Sequence, residues 1–196
     1  MVDGWHNGKQ SNGELDFKVF NLLHFINLIK KSNPNIVELL YKFPLYVDED
    51  FEPFAHYLHY NSDKIAKMNV LKFSKACQGS MISDFKKLKI EDPRNGKKIS
   101  NIYKMSMYIS SMINNENLSD IILFKDTEKR DYVKRLKESH FQEDFVQQYE
   151  IVKSIVNETS IKLMAVSKKY QTDTSFNQDT WDKILFELSN LLREII

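Results

Sequence analysis

Basic side chains are concentrated in one stretch of the chain. They are Lys86, Lys87, Lys89, Arg94, Lys97 and Lys98. Clustered lysine and arginine side chains can neutralise the phosphates of RNA or DNA, and Tyr103 follows close by. Asp84, Glu91 and Asp92 are interspersed with them, and a lysine-rich turn is more often a solvated surface. The stretch therefore predicts either phosphate or nucleic-acid binding or, as the plainer interpretation, an exposed turn.

Three side chains have a spacing that zinc can use. His56, His59 and Asp63 are three and four positions apart, so a continuous helix would place them on one side. Asn61-Ser62 is expected to interrupt that helix, and the other histidines lie far away in the sequence. We therefore predict no metal site.

The chain has a single cysteine, Cys77. No neighbouring base indicates a lowered thiol pKa, so a small buried thiol is favoured over a nucleophile. One cysteine permits no intramolecular disulfide, which favours a reducing compartment. Residues 1–12 are polar and lack the apolar core of a signal peptide. We expect a cytoplasmic protein, of a bacterial cell or a virus-infected host.

The composition is typical of a soluble, helix-rich protein. Of 196 residues, 42% are hydrophobic and 28% charged, and glycine (5) and proline (4) are scarce. The formal net charge of +1 excludes a strong global field toward nucleic acid or a membrane surface. No apolar run approaches the roughly 20 residues that span a bilayer, so membrane insertion is not expected.

The elements that position these residues can be predicted from periodicity. Residues 1–13 are predicted to be a flexible tail and residues 14–196 a single helical domain. Leu15, Phe17 and Val19 alternate with polar residues, which indicates a short strand, and a helix face follows to Ile29. The expected fold is mainly α, a bundle-like helical domain with one short N-terminal β-strand.

Further helices are predicted from apolar spacing and end signals. Asn33-Pro34 is a good helix start. The residues Glu91–Gly96, which contain a proline and an Asn-Gly turn, should interrupt the helical structure. Gly79 is a candidate kink in the fourth helix. The predicted helices are 34–41, 52–60, 62–88, 99–113, 127–139, 145–166 and 181–195, with a short element around 118–124.

The segment Gly13–Leu40 has a distinctive pattern. An acidic residue on a strand leads into a helix that ends in Asn-Pro-Asn followed by Glu-Leu. The residues are Asp16, Phe25, Leu28, Asn33, Pro34, Asn35, Glu38 and Leu39. This pattern resembles a predicted nucleotidyltransferase family of the DNA polymerase beta superfamily. Beyond the segment, the succession of helices over residues 61–157 is similar in order and length but carries few distinctive residues.

The resemblance implies a role for Asp16 and also a departure from the family. Asp16 would be the third carboxylate of a Mg²⁺ site whose Gly-Ser and Asp-x-Asp elements would precede residue 1. Gly79-Ser80 with Asp84 does not replace them, because the spacing is too short and the stretch is expected to be helical. The family's later helix offers a lysine and an arginine to the nucleotide, whereas residues 98–113 have Lys104 as their only internal base. We therefore expect no catalysis, and no cofactor, for the chain alone.

Two functions follow from these observations. The preferred one is a binding or regulatory protein that engages a protein partner, a second copy of itself or nucleic acid. The alternative is the second subunit of a split nucleotidyltransferase, for which another chain supplies the missing half and Mg²⁺ and an NTP are the cofactor and substrate. Asn33, Pro34, Asn35 and Glu38 would then shape a ligand-facing helix start, although plain helix capping is favoured. An independent helical enzyme is a weaker third possibility.

Overall fold

A computed structural model describes residues 8–11, 16–19, 21–42, 44, 46–139, 144–170 and 178–195. Most of them are helical, so the predicted mainly α class is confirmed. A short 3-10 turn, Glu49–Phe51, precedes the third helix. The α-helices are α1 Leu22–Lys30, α2 Pro34–Leu40, α3 Glu52–Tyr60, α4 Ser62–Lys67, α5 Val70–Lys86, α6 Asn95–Ile113, α7 Leu118–Ile122, α8 Thr127–Glu138, α9 Phe145–Tyr170 and α10 Gln178–Ile195.

Two short backbone segments precede the helices. Strands β1 (Gly8–Ser11) and β2 (Asp16–Val19) pair antiparallel, with Ser11 opposite Asp16 and Gly8 opposite Val19. The prediction of a flexible tail falls on residues 1–13, of which 1–7 and 12–13 lie outside the described residues.

Asparagine caps the starts of α2 and α5, and the sequence predicted the first of these caps, Asn33, but not the second, Asn69. Asn33 caps α2 through its side chain, which accepts from the amide of Asn35 at 3.1 Å, and Pro34 follows as predicted. The predicted single helix 62–88 is wrong, because α4 ends at Lys67 and Asn69 caps a separate helix, α5, by accepting from the amide of Lys72 at 2.8 Å. Helix α5 is continuous through Gly79, the candidate position for a kink.

The predicted Asn-Gly turn is wrong as well. Asn95 and Gly96 are the first residues of α6. The buried Asn95 side chain donates to the carbonyl of Lys89 at 2.6 Å and so fixes the preceding turn. A Cβ added to Gly96 would lie 2.6 Å from the Leu136 carbonyl and 2.8 Å from the Lys137 carbonyl. Glycine is therefore required here by the close approach of α8, not by a turn.

The hydrophobic core has two parts. The larger part joins α5–α9 with residues of α2 and α4, and the smaller part joins α1–α4 with α10. Fully buried members of the larger part include Phe73, Cys77, Met81, Ile99, Ile102, Met105, Tyr108 and Val152. Buried members of the smaller part include Ile29, Ile36, Leu58, Ile65, Trp181, Ile184 and Leu188. The predicted burial of Cys77 is thus confirmed. Val152, Val156 and Leu163 of α9 and Trp181, Ile184 and Leu188 of α10 are also buried.

Helix α2 links the two parts of the core. Ile36 and Leu40 pack into the smaller part, whereas Val37 packs into the larger one. The hydroxyl of Tyr41, at the end of α2, donates to Asp63 of α4 at 2.6 Å. Burial, together with that carboxylate, raises the pKa of Tyr41. Across the ranges given above, no helix combines the length and apolarity needed to cross a membrane.

Candidate functional site

A groove of about 800 Å³ lies where the ends of α5 and α6 meet α2, α7 and α8. Its basic lining residues are Lys86, Lys87, Lys89, Arg94, Lys97, Lys98, Lys104 and Lys137. Its carboxylates are Glu38, Asp84 and Asp92. Eight basic groups against three carboxylates leave an excess of five positive charges in a chain whose net charge is +1. The groove therefore concentrates positive charge far beyond the average of the protein.

All six basic residues singled out in the sequence line this groove. The fold adds two that were missed, Lys104 on α6 and Lys137 on α8. Lys104 was noted only as an isolated base in a helix. Lys137 is distant in sequence, and only the packing of α8 on Gly96 brings it to the groove. Sequence spacing carries no signal for that contact.

Five lysines form the outer part of the groove, which we call the rim. They are Lys86, Lys87, Lys89, Lys97 and Lys137, all exposed. Among the residues that the structure describes, none of the five forms a salt bridge. Their ammonium groups are therefore available to an external anion without first losing an internal partner.

Four partly buried residues, Glu38, Asp92, Lys98 and Lys104, form what we call the floor. Lys104 Nζ lies 2.7 Å from Glu38 Oε2, and Lys42 Nζ lies 2.9 Å from Glu38 Oε1. Burial raises the pKa of Glu38, but the charges and hydrogen bonds of Lys104 and Lys42 outweigh it, so the pKa lies below its usual value. Glu38 is thus held as a carboxylate that ties α2 to α6.

The second floor pair closes the turn between α5 and α6. Lys98 Nζ lies 2.6 Å from Asp92 Oδ2 and also donates to the carbonyl of Lys87 at 2.6 Å. Asp92 Oδ1 accepts from the backbone amide of Arg94 at 2.8 Å. The hydrogen bond from Lys98, followed by that from the Arg94 amide, holds the pKa of Asp92 well below its usual range. An internal carboxylate therefore lies at the start of α6, where free amides attract anions.

The core behind the floor contains the only cysteine. Cys77 is fully buried, and burial raises the pKa of its thiol, which the charge of Lys104 only partly offsets. Burial also raises the pKa of Tyr108, with a further contribution from Glu38. Both groups stay protonated at neutral pH, which favours the interpretation of Cys77 as a packing residue over a nucleophile.

The family-motif residues separate into two groups. Asn35 and Glu38 line the groove, whereas Asn33 and Pro34 start α2. Asp16 is the first residue of β2, for which only the backbone is described. The structure thus brings two residues of the motif, Asn35 and Glu38, to the basic cluster.

The histidine set is dispersed into separate contacts. His59 Nδ1 lies 3.0 Å from the Leu40 carbonyl, and His56 Nε2 lies 3.3 Å from Glu52. Asp63 accepts from Tyr41. In the described part of the chain, no three His, Cys, Asp or Glu side chains are grouped so that they could hold a metal ion.

Sequence reasoning also missed an apolar part of the groove. Phe124, just after α7, and Val133 on α8 line it and are half-buried. No periodic pattern marks Phe124, because it lies in the turn between two helices. The groove therefore combines cations with an aromatic and an aliphatic surface.

Comparisons with models of protein families, with curated proteins and with solved structures give no match. A function must therefore be inferred from the site itself. Such a function has to account for three properties of the groove. These are its excess of cations, its paired carboxylates and the apolar surface of Phe124 and Val133.

Proposed function

We propose that this chain is a nucleotidyltransferase-like binding protein that receives the phosphate backbone of a nucleic acid in its basic groove and does not catalyse alone. The observation that carries the proposal is the convergence of eight basic side chains from three parts of the chain on one cavity. Cations from α5, α6 and α8 are distant in sequence or separated by a turn. An exposed lysine-rich turn would explain the basic residues that are close in sequence, but it would not explain why Lys137 of α8 lines the same groove.

The rim lysines suit phosphate backbones. Each phosphate that a lysine neutralises releases counterions, which is favourable at low salt. The rim residues are exposed and, in the described ranges, are not in salt bridges, so binding costs little desolvation and breaks no internal pair. The floor cations are already neutralised by Glu38 and Asp92 and contribute less.

The groove's carboxylates support binding rather than catalysis. Glu38 is paired with Lys104, Asp92 with Lys98, and Asp84 accepts from Asn101. Nucleotidyl transfer needs carboxylates that converge on divalent metal. Three carboxylates that are each engaged by a different side chain are ill suited to that task.

A triple substitution tests the proposal. K86Q/K87Q/K97Q removes three rim charges, and K64Q/K75Q/K162Q removes three exposed lysines that do not line the groove, so both variants have the same net charge. Binding of a fluorescein-labelled oligonucleotide, as single strand and as duplex, is followed by anisotropy across a salt series. We expect the affinity of the rim variant to be lower by on the order of 100-fold at low salt. The slope of log affinity against log salt concentration should decrease in magnitude by about two.

The control variant should stay within about threefold of the parent protein. Equal losses in both variants would show that only net charge matters and would remove the groove from the proposal. If the chain binds an acidic protein through the rim and binds no oligonucleotide, the ligand of the groove is a protein and not a nucleic acid. Partnership with a protein or a second copy otherwise stays a prediction.

A second candidate is the split nucleotidyltransferase. It is favoured by the Lys104–Glu38 contact, which joins the motif residues on α2 to the helix that corresponds in position to the family's nucleotide-facing helix. In that case Asp16 would complete a Mg²⁺ site with carboxylates of another chain, and the groove would lie beside the triphosphate.

The test of this candidate is reconstitution. The chain is mixed with a protein that carries the Gly-Ser and Asp-x-Asp half, and Mg²⁺-dependent transfer from radiolabelled NTPs is measured. Asp16→Ala should abolish the transfer if Asp16 is the third carboxylate. Unchanged activity in that variant, or no activity in any mixture, would leave the binding function as the sole candidate.

A further inference from the structure

The groove's cations and its apolar surface come from different elements. The rim lysines lie mainly on α5, α6 and the turn between them, whereas Phe124 and Val133 lie on the α7–α8 side. Nucleic-acid sites that accept unpaired bases combine these two features, since lysines take the phosphates and an aromatic ring takes the base. The groove therefore has the parts of a nucleotide site as well as those of a phosphate site.

The backbone at Phe124 is unusual for an aromatic residue. Its φ is 50°, in the left-handed region. Its amide donates to the Ile121 carbonyl and that of Lys125 donates to the Asp120 carbonyl, which is the hydrogen-bond pattern of a Schellman cap. Glycine or asparagine is the usual residue at this position, and a bulky side chain is disfavoured there.

Two other helices in the described part of the chain end with the same pattern. Their left-handed residues are Ser32 after α1 and Asn115 after α6, both with φ of 54°. These caps carry small polar side chains, as the backbone prefers. The third cap is the one that lines the groove, and there the chain carries a phenyl ring instead.

We propose that Phe124 is a stacking platform for a base of single-stranded nucleic acid whose phosphates bind the rim lysines. The inference rests on the proposed function and names its ligand class. Bases are stacked and paired inside a duplex, whereas a single strand can turn a base onto a ring. A cavity of about 800 Å³ has the size of sites that hold small ligands such as a nucleotide.

The test compares ligands that do and do not carry bases. Anisotropy titrations use oligothymidylate, an abasic strand of equal length and charge, and a duplex. The variants are Phe124→Gly, Phe124→Trp and the neighbouring Leu123→Ala, which removes an exposed apolar side chain that does not line the groove. Glycine suits the left-handed backbone, and the midpoint of thermal unfolding checks that each variant is folded.

We expect Phe124→Gly to weaken the binding of oligothymidylate about tenfold. Binding of the abasic strand and the log–log salt slope should stay unchanged. Phe124→Trp should bind as tightly as the parent protein or more tightly, and Leu123→Ala should bind like it. Equal affinities for thymidylate and abasic strands, or tighter binding of the duplex, would overturn the inference while leaving phosphate binding intact. Failure to bind any of the three ligands would instead overturn the proposed function.

Discussion

The rim and the floor of the groove use the same residue type in opposite ways. Rim lysines are exposed and, among the described residues, lack salt bridges. Floor lysines Lys98 and Lys104 are largely buried, with 12% and 20% of their side chains exposed, and each contacts a carboxylate at under 3 Å. Exposed charges contribute little to stability but act at a distance on a charged ligand, whereas buried pairs are costly to break.

This difference separates residues that belong to the fold from residues that are available to a ligand. Lys104 ties α6 to α2, and Lys98 holds the turn after α5 through Asp92 and the Lys87 carbonyl. Substitutions behind and within the floor should therefore lower the free energy of unfolding. Substitutions on the rim should change affinity for a polyanion and leave stability alone.

The largest effect on stability is expected at Gly96, where the end of α8 packs against the start of α6. Gly96→Ala adds a Cβ that would lie 2.6 Å from the Leu136 carbonyl and 2.8 Å from that of Lys137. Because those neighbours are backbone atoms, α8 has to move, and we expect a loss of about 3 kcal/mol in the free energy of unfolding. Urea denaturation followed by circular dichroism measures it.

Gly79 is the matched control. It lies inside α5, and a Cβ added to it would meet nothing within 4 Å. Gly79→Ala should therefore raise the free energy of unfolding by about 0.5–1 kcal/mol through helix propensity. Two alanine substitutions with effects of the same sign and size would show that α8 does not pack on α6 as described.

The next effect is expected from the floor pair on α2 and α6. Lys104→Met keeps the aliphatic stem and leaves Glu38, 14% exposed, with Lys42 alone. We expect a loss of about 2 kcal/mol, below the cost of a fully buried pair because Lys42 remains. The double variant Glu38→Gln with Lys104→Met should recover part of it, since no uncompensated carboxylate is left. If Lys104→Met is as stable as the parent protein, the Lys104–Glu38 pair contributes no more to stability than an exposed surface ion pair does.

The parts of this site that were predictable are those encoded locally. Six groove lysines and arginines were found because they are close in sequence, and Asn33-Pro34 was recognised because capping depends on adjacent residues. Lys137 and Phe124 were not found, since each reaches the groove through contacts between distant segments. The pairing of Lys104 with Glu38 was missed for the same reason.

The fold shows the same limit. The helix class and the bounds of α3 followed from apolar spacing, because one face of each helix is buried. Asn95-Gly96 has the sequence of a turn, but burial of Asn95 and the approach of α8 at Gly96 override that preference. The two-part core, with α10 packed against α1–α4, depends on tertiary contacts that no local pattern encodes.

A smaller and mixed effect is expected at Asp92, the floor carboxylate that pairs with Lys98. Asp92→Asn removes a negative charge from the groove and frees Lys98, so affinity for an oligonucleotide should rise about threefold. The low pKa of Asp92 in the folded state means that folding favours its ionised form. Its contribution to stability is therefore present above about pH 4, the pKa of an unfolded aspartate, and is lost as the pH falls below that value.

The pH dependence supplies the measurement. Urea denaturation of Asp92→Asn and of the parent protein is compared between pH 7 and pH 3. The parent should be the more stable at pH 7, and the difference should shrink as the pH falls below 4. A difference that is constant with pH would mean that the Asp92 carboxylate does not stabilise the fold through Lys98 and the Arg94 amide.

The smallest effect is expected from a single rim lysine, and Lys137 is the most informative one. It lies on α8, outside the basic stretch of the sequence, so it distinguishes a groove from a charged loop. Lys137→Gln should weaken oligonucleotide binding about threefold and lower the log–log salt slope by about 0.7, without changing the urea midpoint. Lys134→Gln is its control, because Lys134 is exposed on the same helix and does not line the groove. If the two variants bind alike, the ligand contacts only the turn between α5 and α6, and the rim shrinks to the lysines that the sequence already grouped.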